Sequence, residues 1–427
     1  MMNENPCIKI GCVADDFTGA SDAASFLVKS GLRTLLFNGV PEDAASAEGC
    51  EAVVVALKSR STPADEAVRD TLAALRWLRG HGARQFYLKY CSTFDCTPKG
   101  NIGPTVDAAL EELGERYTLL CPSLPVNGRT VRDGKLYVNG VPLHESPMKD
   151  HPLNPMWDCE LSALMAPQGK YPCLVLDAAA MSRPKAEILA AVEAFGAGKE
   201  HFYVVPDYET DADGARVAEV FGGLGLLTGG SGLLEFLGGP VSGRADGDFD
   251  PSAGTEGPGI VVSGSCSKAT RGQIAAFKAA GGRSLAVDPA DLLHGRQTVD
   301  GIWDFVRAIP DEPVLVYSAG AENPALRERE SGADVAQLSG LLEGALAETA
   351  RRAVAAGYTR VISAGGETSG AVTLALGFNA FFIGESIAPG VPMMTPAARR
   401  DVRLVLKSGN FGQEDFFMRA LGRTKRG

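Results

Sequence analysis

Ile8-Lys-Ile-Gly-Cys-Val-Ala14-Asp15-Asp16-Phe17-Thr18-Gly19-Ala20 is the stretch on which the fold of this chain turns. Residues 8–14 read as an apolar strand, and the helical run 21–30, ended by Gly31, follows within the length of a turn. Two adjacent acids therefore stand where a strand gives way to a helix. In open α/β sheets ligands collect beyond the carboxyl ends of the strands, so Asp15 and Asp16 are candidates to bind substrate hydroxyls, to hold a metal, or to accept a proton. Helix capping by one Asp or by Thr18, worth about 1 kcal/mol, explains one of these residues and leaves the second acid without a reason.

The same alternation runs outward from this point. Strands are expected at 32–37, 52–57, 85–90, 117–121, 173–177 and 201–205, with helices at 63–79 and 104–113. Between 240 and 258 the composition turns to Gly, Ser, Asp and Pro, as in a linker. The pattern then restarts, with strands at 259–263, 284–288, 313–317, 360–363, 378–383 and 403–407 and helices at 268–280 and 335–356. Strands without polar alternation, separated by helices, are those of a sheet covered on both faces. The expected class is α/β: two α/β domains, each with a central mostly parallel sheet flanked by helices, divided as 1–240, a linker 241–258, and 259–427.

Length and composition agree. A chain of 427 residues exceeds one ordinary core, and 45% hydrophobic residues suffice for two. The net charge of -11 would repel a nucleic-acid backbone, although a small anion can still be held in a locally basic pocket. The nine cysteines include no CxxC pair and several lie in or beside apolar runs, which suits buried thiols in the reducing cytoplasm better than disulfides or zinc ligands. No signal or transmembrane segment is visible, so neither nucleic acid nor membrane is an expected partner.

Other clusters could carry chemistry. Lys89, in Lys89-Tyr90-Cys91-Ser92-Thr93-Phe94-Asp95, ends an apolar strand where an unpaired ammonium would be costly; it is expected to reach an anion, or to pair with Asp15 or Asp16. Gly100-Asn101 before a helix suits an amide nest for a carboxylate. The proline-rich run from Glu145 to Met156 presents Lys149, His151 and Asn154 on a restricted loop, or is an ordinary surface loop. Three glycine-rich turns follow strands in the second half: Ser263-Gly264-Ser265-Cys266-Ser267, Ala364-Gly365-Gly366-Glu367-Thr368-Ser369-Gly370, and Lys407-Ser408-Gly409-Asn410-Phe411-Gly412. Glycine lets amides approach a phosphate chain, and hydroxyls add donors. A P-loop and a dinucleotide fingerprint are absent, as are a nucleophile elbow and a convincing zinc cluster.

Together the runs at 15–20, 87–95, 228–232 and 364–370 resemble the four-carbon acid sugar kinases, and those at 121–129 and 150–156 are similar to the 3-oxo-tetronate kinase branch of that family. The resemblance spans about residues 8–417. It implies an N-terminal domain binding the acid sugar, a C-terminal domain binding ATP, and phosphorylation of the C4 hydroxyl of 3-oxo-tetronate with Mg²⁺. Carried over, Asp15 and Asp16 belong to the sugar side, and as acids at a strand end Asp16 first and Asp15 second are the expected catalytic carboxylates. Gly19, Lys89, Ser92, Asp95, Gly100, Asn101, Lys149 and His151 join them on the substrate side. Ser263, Ser265, Gly365, Gly366, Glu367, Thr368, Ser369 and Gly409 belong to ATP. The resemblance names no metal ligand, and a homodimer stays open. The turn 178–183 departs from the family, since many relatives keep another acid after that strand. A threonate or erythronate kinase, a non-catalytic sugar-acid or nucleotide sensor, and a nicotinamide-dependent oxidoreductase remain as alternatives, the last weakened by its missing fingerprint.

Overall fold

Parallel strands buried on both faces dominate the computed structural model, which describes residues 8–42, 47, 49–95, 97–150, 154–238, 249–322 and 335–426. The chain divides into two units, Met1–Arg244 and Ala245–Gly427. In the first, the strands are β1 (Ile10–Ala14), β2 (Thr34–Asn38), β3 (Ala52–Ala56), β4 (Gln85–Lys89), β5 (Tyr117–Leu119), β6 (Arg129–Arg132), β7 (Lys135–Val138), β8 (Val141–Pro142), β9 (Cys173–Leu176), β10 (Phe202–Pro206) and β11 (Leu226–Gly229). Five of them line up as β11-β4-β1-β3-β2, all parallel. Every residue of β1 and β3 is buried, as a sheet with two covered faces requires.

Helix Ala64–Gly80 shows how the cover is made. Its buried residues Ala67, Thr71, Ala74, Leu75 and Leu78 recur at helical spacing, leaving the charged face to water. A second parallel sheet, β5-β10-β9, belongs to the same unit and meets the first through a bridge between Cys121 and Gly229. A small antiparallel sheet, β6-β7-β8, adds three strands outside the expected set.

The second unit contains β12 (Gly259–Ser263), β13 (Arg283–Val287), β14 (Val314–Ser318), β15 (Arg360–Ala364), β16 (Ala380–Ala388), β17 (Val391–Pro396) and β18 (Arg403–Lys407). Their order is β16-β17-β18-β15-β12-β14-β13, parallel from β18 to β13, with β16 and β17 antiparallel at one side. Its core gathers Val261, Ile362 and Val405 from three adjacent strands with Phe416 and Phe417 of the last helix. Residues 250–257, expected in the linker, bond to this unit: Arg403 Nε donates to the Ala253 carbonyl at 2.6 Å, and Thr255 pairs with Lys425. Residues 241–248 lie outside the described residues.

Candidate active site

Register creates the first site. Ala14 lies opposite Ala56 of β3 and Lys89 of β4, so the segments after β1, β3 and β4 emerge together at one edge of the sheet. The Asp15 N–H donates to the Lys89 carbonyl, and the Asp15 carbonyl accepts from the N–H groups of Ser59 and Arg60. Arg60 is thereby set against both acids. Its Nε and Nη2 grip Asp15 in a two-pronged pair, each at 2.8 Å, and its Nη1 reaches Asp16 at 2.8 Å. Arg60 is not among the expected residues; it comes 45 positions after Asp15 in the chain.

Asp16 carries a further duty. The helix begins at Phe17, four residues earlier than expected, with extended Asp16 as its N-cap accepting the Gly19 N–H. Capping and the ion pair thus fall on one carboxyl group, and Thr18 is not the cap. Gly19 keeps room for the side-chain ends that meet here. A Cβ there would lie 2.6 Å from Asp16 Oδ1 and 2.9 Å from Lys89 Nζ. Lys89 is buried at this point and donates to the Tyr90 carbonyl at 2.8 Å.

The two acids differ in proton affinity. Burial acts to raise Asp15, but the Arg60 charge and hydrogen bonds, with Lys89, overcome it and hold Asp15 below the usual carboxylate range. Burial raises Asp16, the Asp15 charge adds to that, and Arg60 and Lys89 offset it only in part. One carboxylate is therefore kept ionised while its neighbour is tuned toward accepting a proton, the arrangement that separates acid–base roles in enzymes. Asp22, further along the same helix, is buried, accepts from Ser231, and is raised chiefly by desolvation. Burial pushes the thiols of Cys12 and Cys91 up to about 12 and about 11, which disfavours either as a nucleophile.

The loop after β4 is held tightly. Thr93 donates to buried Asp95 at 2.6 Å, and Phe94 sits at φ 50, a left-handed conformation that a bulky residue adopts only under constraint. Ser92 is half-buried near Gly230.

Two expected substrate residues, Asn101 and Gly100, are engaged within the protein. Asn101 points its amide at the Ser59 and Thr62 carbonyls, 2.7 and 3.0 Å away, so it supports the loop carrying Arg60. The helix after Gly100-Asn101 has its Gly103 N–H taken by Gln168 Oε1 at 2.9 Å, which fills the supposed carboxylate nest. Gly100 donates within its own turn, to Thr97. Lys149 stands exposed on the short turn Pro147–Asp150. His151 lies outside the described residues. Asn101→Ala should cost about 1–3 kcal/mol for two orphaned carbonyls and raise KM for the sugar acid while leaving KM for ATP unchanged, as thermal melts and steady-state kinetics would register.

The second unit carries a cavity of about 590 Å³ at its own strand ends. Gly264 and Ser265 follow β12, Ser318 and Gly320 come from the end of β14, Gly365 through Thr368 follow β15, and Gly409 follows β18. Gly365 has φ 120, and a Cβ on it would meet Thr368 Oγ1 at 3.0 Å and the Ser265 N at 3.3 Å. Helix Gly366–Leu376 has no side-chain cap at its N-terminus, which leaves amides free for an anion. Glu343 and Glu367 are neighbours in the cavity wall; burial first, then the adjacent Glu367 carboxyl, pushes Glu343 up to about 7.

Two expected ATP residues are turned away. Ser263 is fully buried at the end of β12 and does not line the cavity. Ser369 is buried and donates to Ser363 of β15 at 3.1 Å, so its side chain packs on the sheet and does not line the cavity.

Phosphoryl transfer needs an oriented hydroxyl and a held polyphosphate, and the class that these two units define is an ATP-dependent kinase. A family model described as a sugar-binding N-terminal domain matches residues 10–237, and one described as a nucleotide-binding C-terminal domain matches residues 260–417. The 3-oxo-tetronate kinase of Actinobacillus succinogenes is 43% identical over 428 residues, covering 97% of this chain and 99% of its own. The 3-oxo-tetronate kinase of Haemophilus influenzae is 41% identical, again over 97% of this chain and 99% of its own. A crystal structure of a Haemophilus influenzae protein matches with a TM-score of 0.84 at 40% identity, covering 97% of this chain and all of that one. The chain belongs to the four-carbon acid sugar kinase family. Among the described residues, no helix is long and apolar enough to cross a membrane, and seven cysteines are free.

Proposed function

We propose that this chain transfers the γ-phosphoryl group of ATP to the C4 hydroxyl of 3-oxo-tetronate, yielding the 4-phosphate. The carrying observation is the Asp15–Arg60–Asp16 group, in which one carboxyl is held ionised and its neighbour is raised. Asp16 orients the hydroxyl and accepts its proton as the bond to phosphorus forms. Asp15 stays charged, fixes the guanidinium and keeps Asp16 basic. Lys89 spends one donor on the Tyr90 carbonyl, which leaves others for the anionic sugar acid. Since phosphoryl transfer gains mainly from alignment and charge stabilisation, the base is one part of a positioning device.

The glycine turns of the second unit, with Ser265, Thr368 and the free amides after Gly365, take the phosphates of ATP. Glu343 and Glu367 are hard oxygen donors in contact, a set that fits Mg²⁺. When bound, the ion would neutralise charge on the β- and γ-phosphates. The free thiols and the ATP requirement suit the cytoplasm.

An ADP-release assay across D- and L-erythronate, D- and L-threonate and their 3-oxo forms tests the substrate. Turnover confined to the 3-oxo acids is expected; turnover of threonate or erythronate alone would make the chain a threonate or erythronate 4-kinase. The cleft is tested at Gly366, where a Cβ meets nothing within 4 Å. Gly366→Leu should leave Tm within a few degrees of the native value and weaken ATP about tenfold or more by calorimetry, with sugar-acid binding unchanged.

A further inference from the structure

Lys407, the last residue of β18, is 1% exposed, yet no carboxylate pairs with it among the described residues. Its Nζ donates to Thr270 Oγ1 at 3.1 Å and to the carbonyls of Ser408 and Gly409, each at 3.0 Å. Ser267 and Thr270 also donate to the Gly409 carbonyl, at 2.5 and 2.8 Å. Further on, Gln273 Nε2 takes the carbonyls of Phe411, Gly412 and Gln413 at 3.0, 3.0 and 3.1 Å. One buried side of the turn thus consumes nearly every carbonyl from 408 to 413.

A trans peptide points its N–H opposite to its C=O. Drawing the Ser408 and Gly409 carbonyls inward therefore turns the next two N–H groups, those of Gly409 and Asn410, outward. Neither has a protein partner among the described residues, and Gly409 lines the cavity. Carbonyl oxygens repel phosphate and amides attract it, so this orientation decides whether the turn accepts an anion. We propose that Lys407 is a positioning residue for nucleotide binding, acting through the Ser408–Gly409 turn, which keeps its anion-accepting shape only while the lysine is charged. This rests on the reading of the cavity as the ATP site.

Burial pushes Lys407 down from 10.5 to about 8. No carboxylate among the described residues pairs with it to counter this. Asp415 is paired with Arg419, Glu414 is exposed against Gly272, Lys268 and Arg271 are exposed on the adjoining helix, and the Phe416 ring lies 5.9 Å away. Nearby phosphate charge favours the protonated lysine, so ATP binding is linked to proton uptake. Affinity should fall as pH rises through about 8, approaching a tenfold loss per pH unit above it. Stability moves the opposite way. Between about 8 and 10.5 the unfolded lysine keeps a proton that the folded one has released, so the Lys407 contribution to stability rises with pH.

The test is calorimetry of ATP binding to the full chain from pH 7 to 9, in buffers of different ionisation enthalpy. Wild-type protein should take up protons on binding, most strongly above pH 8, and Lys407→Met should take up none. KM for ATP should rise about tenfold in Lys407→Met with KM for the sugar acid unchanged, and Lys407→Arg should restore affinity without proton uptake. Thr270→Val, which leaves the lysine in place, should weaken ATP several-fold and retain the pH dependence. Binding without proton uptake in wild-type protein, together with native ATP affinity in Lys407→Met, would overturn the inference alone. Wild-type protein that binds the sugar acid but no ATP at any pH would overturn the nucleotide reading and this inference with it.

Discussion

Asp16→Asn should lower single-turnover phosphoryl transfer by about 10²–10⁴-fold while ATP binding stays native. Asparagine keeps the shape of the side chain and an oxygen for the Gly19 N–H, so the helix start survives. What it loses is the capacity to accept a proton, and its amide hydrogens face Arg60 where a carboxylate oxygen stood. The native pH profile should have an acid limb above the ordinary Asp value of 3.8, because burial and the Asp15 charge raise Asp16. Activity rises with pH across that limb, since the base works only when deprotonated. Asp15→Asn should move the limb downward, by removing a negative neighbour and releasing Arg60 to Asp16 alone. Asp16→Asn should abolish it. A near-native rate in Asp16→Asn would remove this residue from the chemistry.

Local periodicity is enough to make the sheets visible in the amino-acid sequence. β12 and β18 span 259–263 and 403–407 as expected, because their apolar centres, Ile260-Val261-Val262 and Leu404-Val405-Leu406, are covered on both faces and polar side chains enter only at the strand ends. The small β6–β8 sheet is not among the expected strands, and only its turns mark it. Asp133-Gly134 and Asn139-Gly140 are two-residue hairpin turns, and all four residues have positive φ, from 50 to 80. Strands of four and two residues hold too little apolar pattern to announce themselves.

For the sites, the acids after β1 and the glycines after β12, β15 and β18 stand out because each departs from its surroundings in composition. Arg60 does not. Nothing near it in the chain marks it, and only the pairing of β1 with β3 brings it to Asp15. Lys407 lies within a glycine-rich motif, but its weight comes from carbonyls that a sequence does not orient. Ser263 and Ser369 show the reverse error. Reading a glycine-rich run as one block ignores that some of its side chains pack inward, as Ser263 does at the end of β12 and Ser369 does against Ser363.

Arg60→Ala should destabilise the protein by about 2–3 kcal/mol at pH 7, somewhat less than the 3–5 kcal/mol typical of breaking a fully buried ion pair. The discount comes from exposure, since the Arg60 side chain is 26% accessible and that of Asp16 31%. The loss comes less from the missing bonds than from two carboxylates left in a poor solvent beside each other. In native protein Asp15 is held below its usual range, so its contribution to stability is present above about 3.8 and disappears as pH falls through the lowered value. Without Arg60, burial and mutual repulsion raise both acids above their unfolded values. The deficit is then full above the raised values and shrinks as pH falls through them, because protonation removes the uncompensated charge. Urea unfolding at pH 7 and pH 4.5 should therefore give a large difference between native and variant protein at the first pH and a much smaller one at the second. Adding Asp16→Asn to Arg60→Ala should recover part of the lost stability, since one of the stranded charges is gone. A deficit of equal size at both pH values, with no recovery in the double variant, would mean that Arg60 serves by packing alone and that the Asp15–Asp16 pair owes its unequal proton affinities to something else.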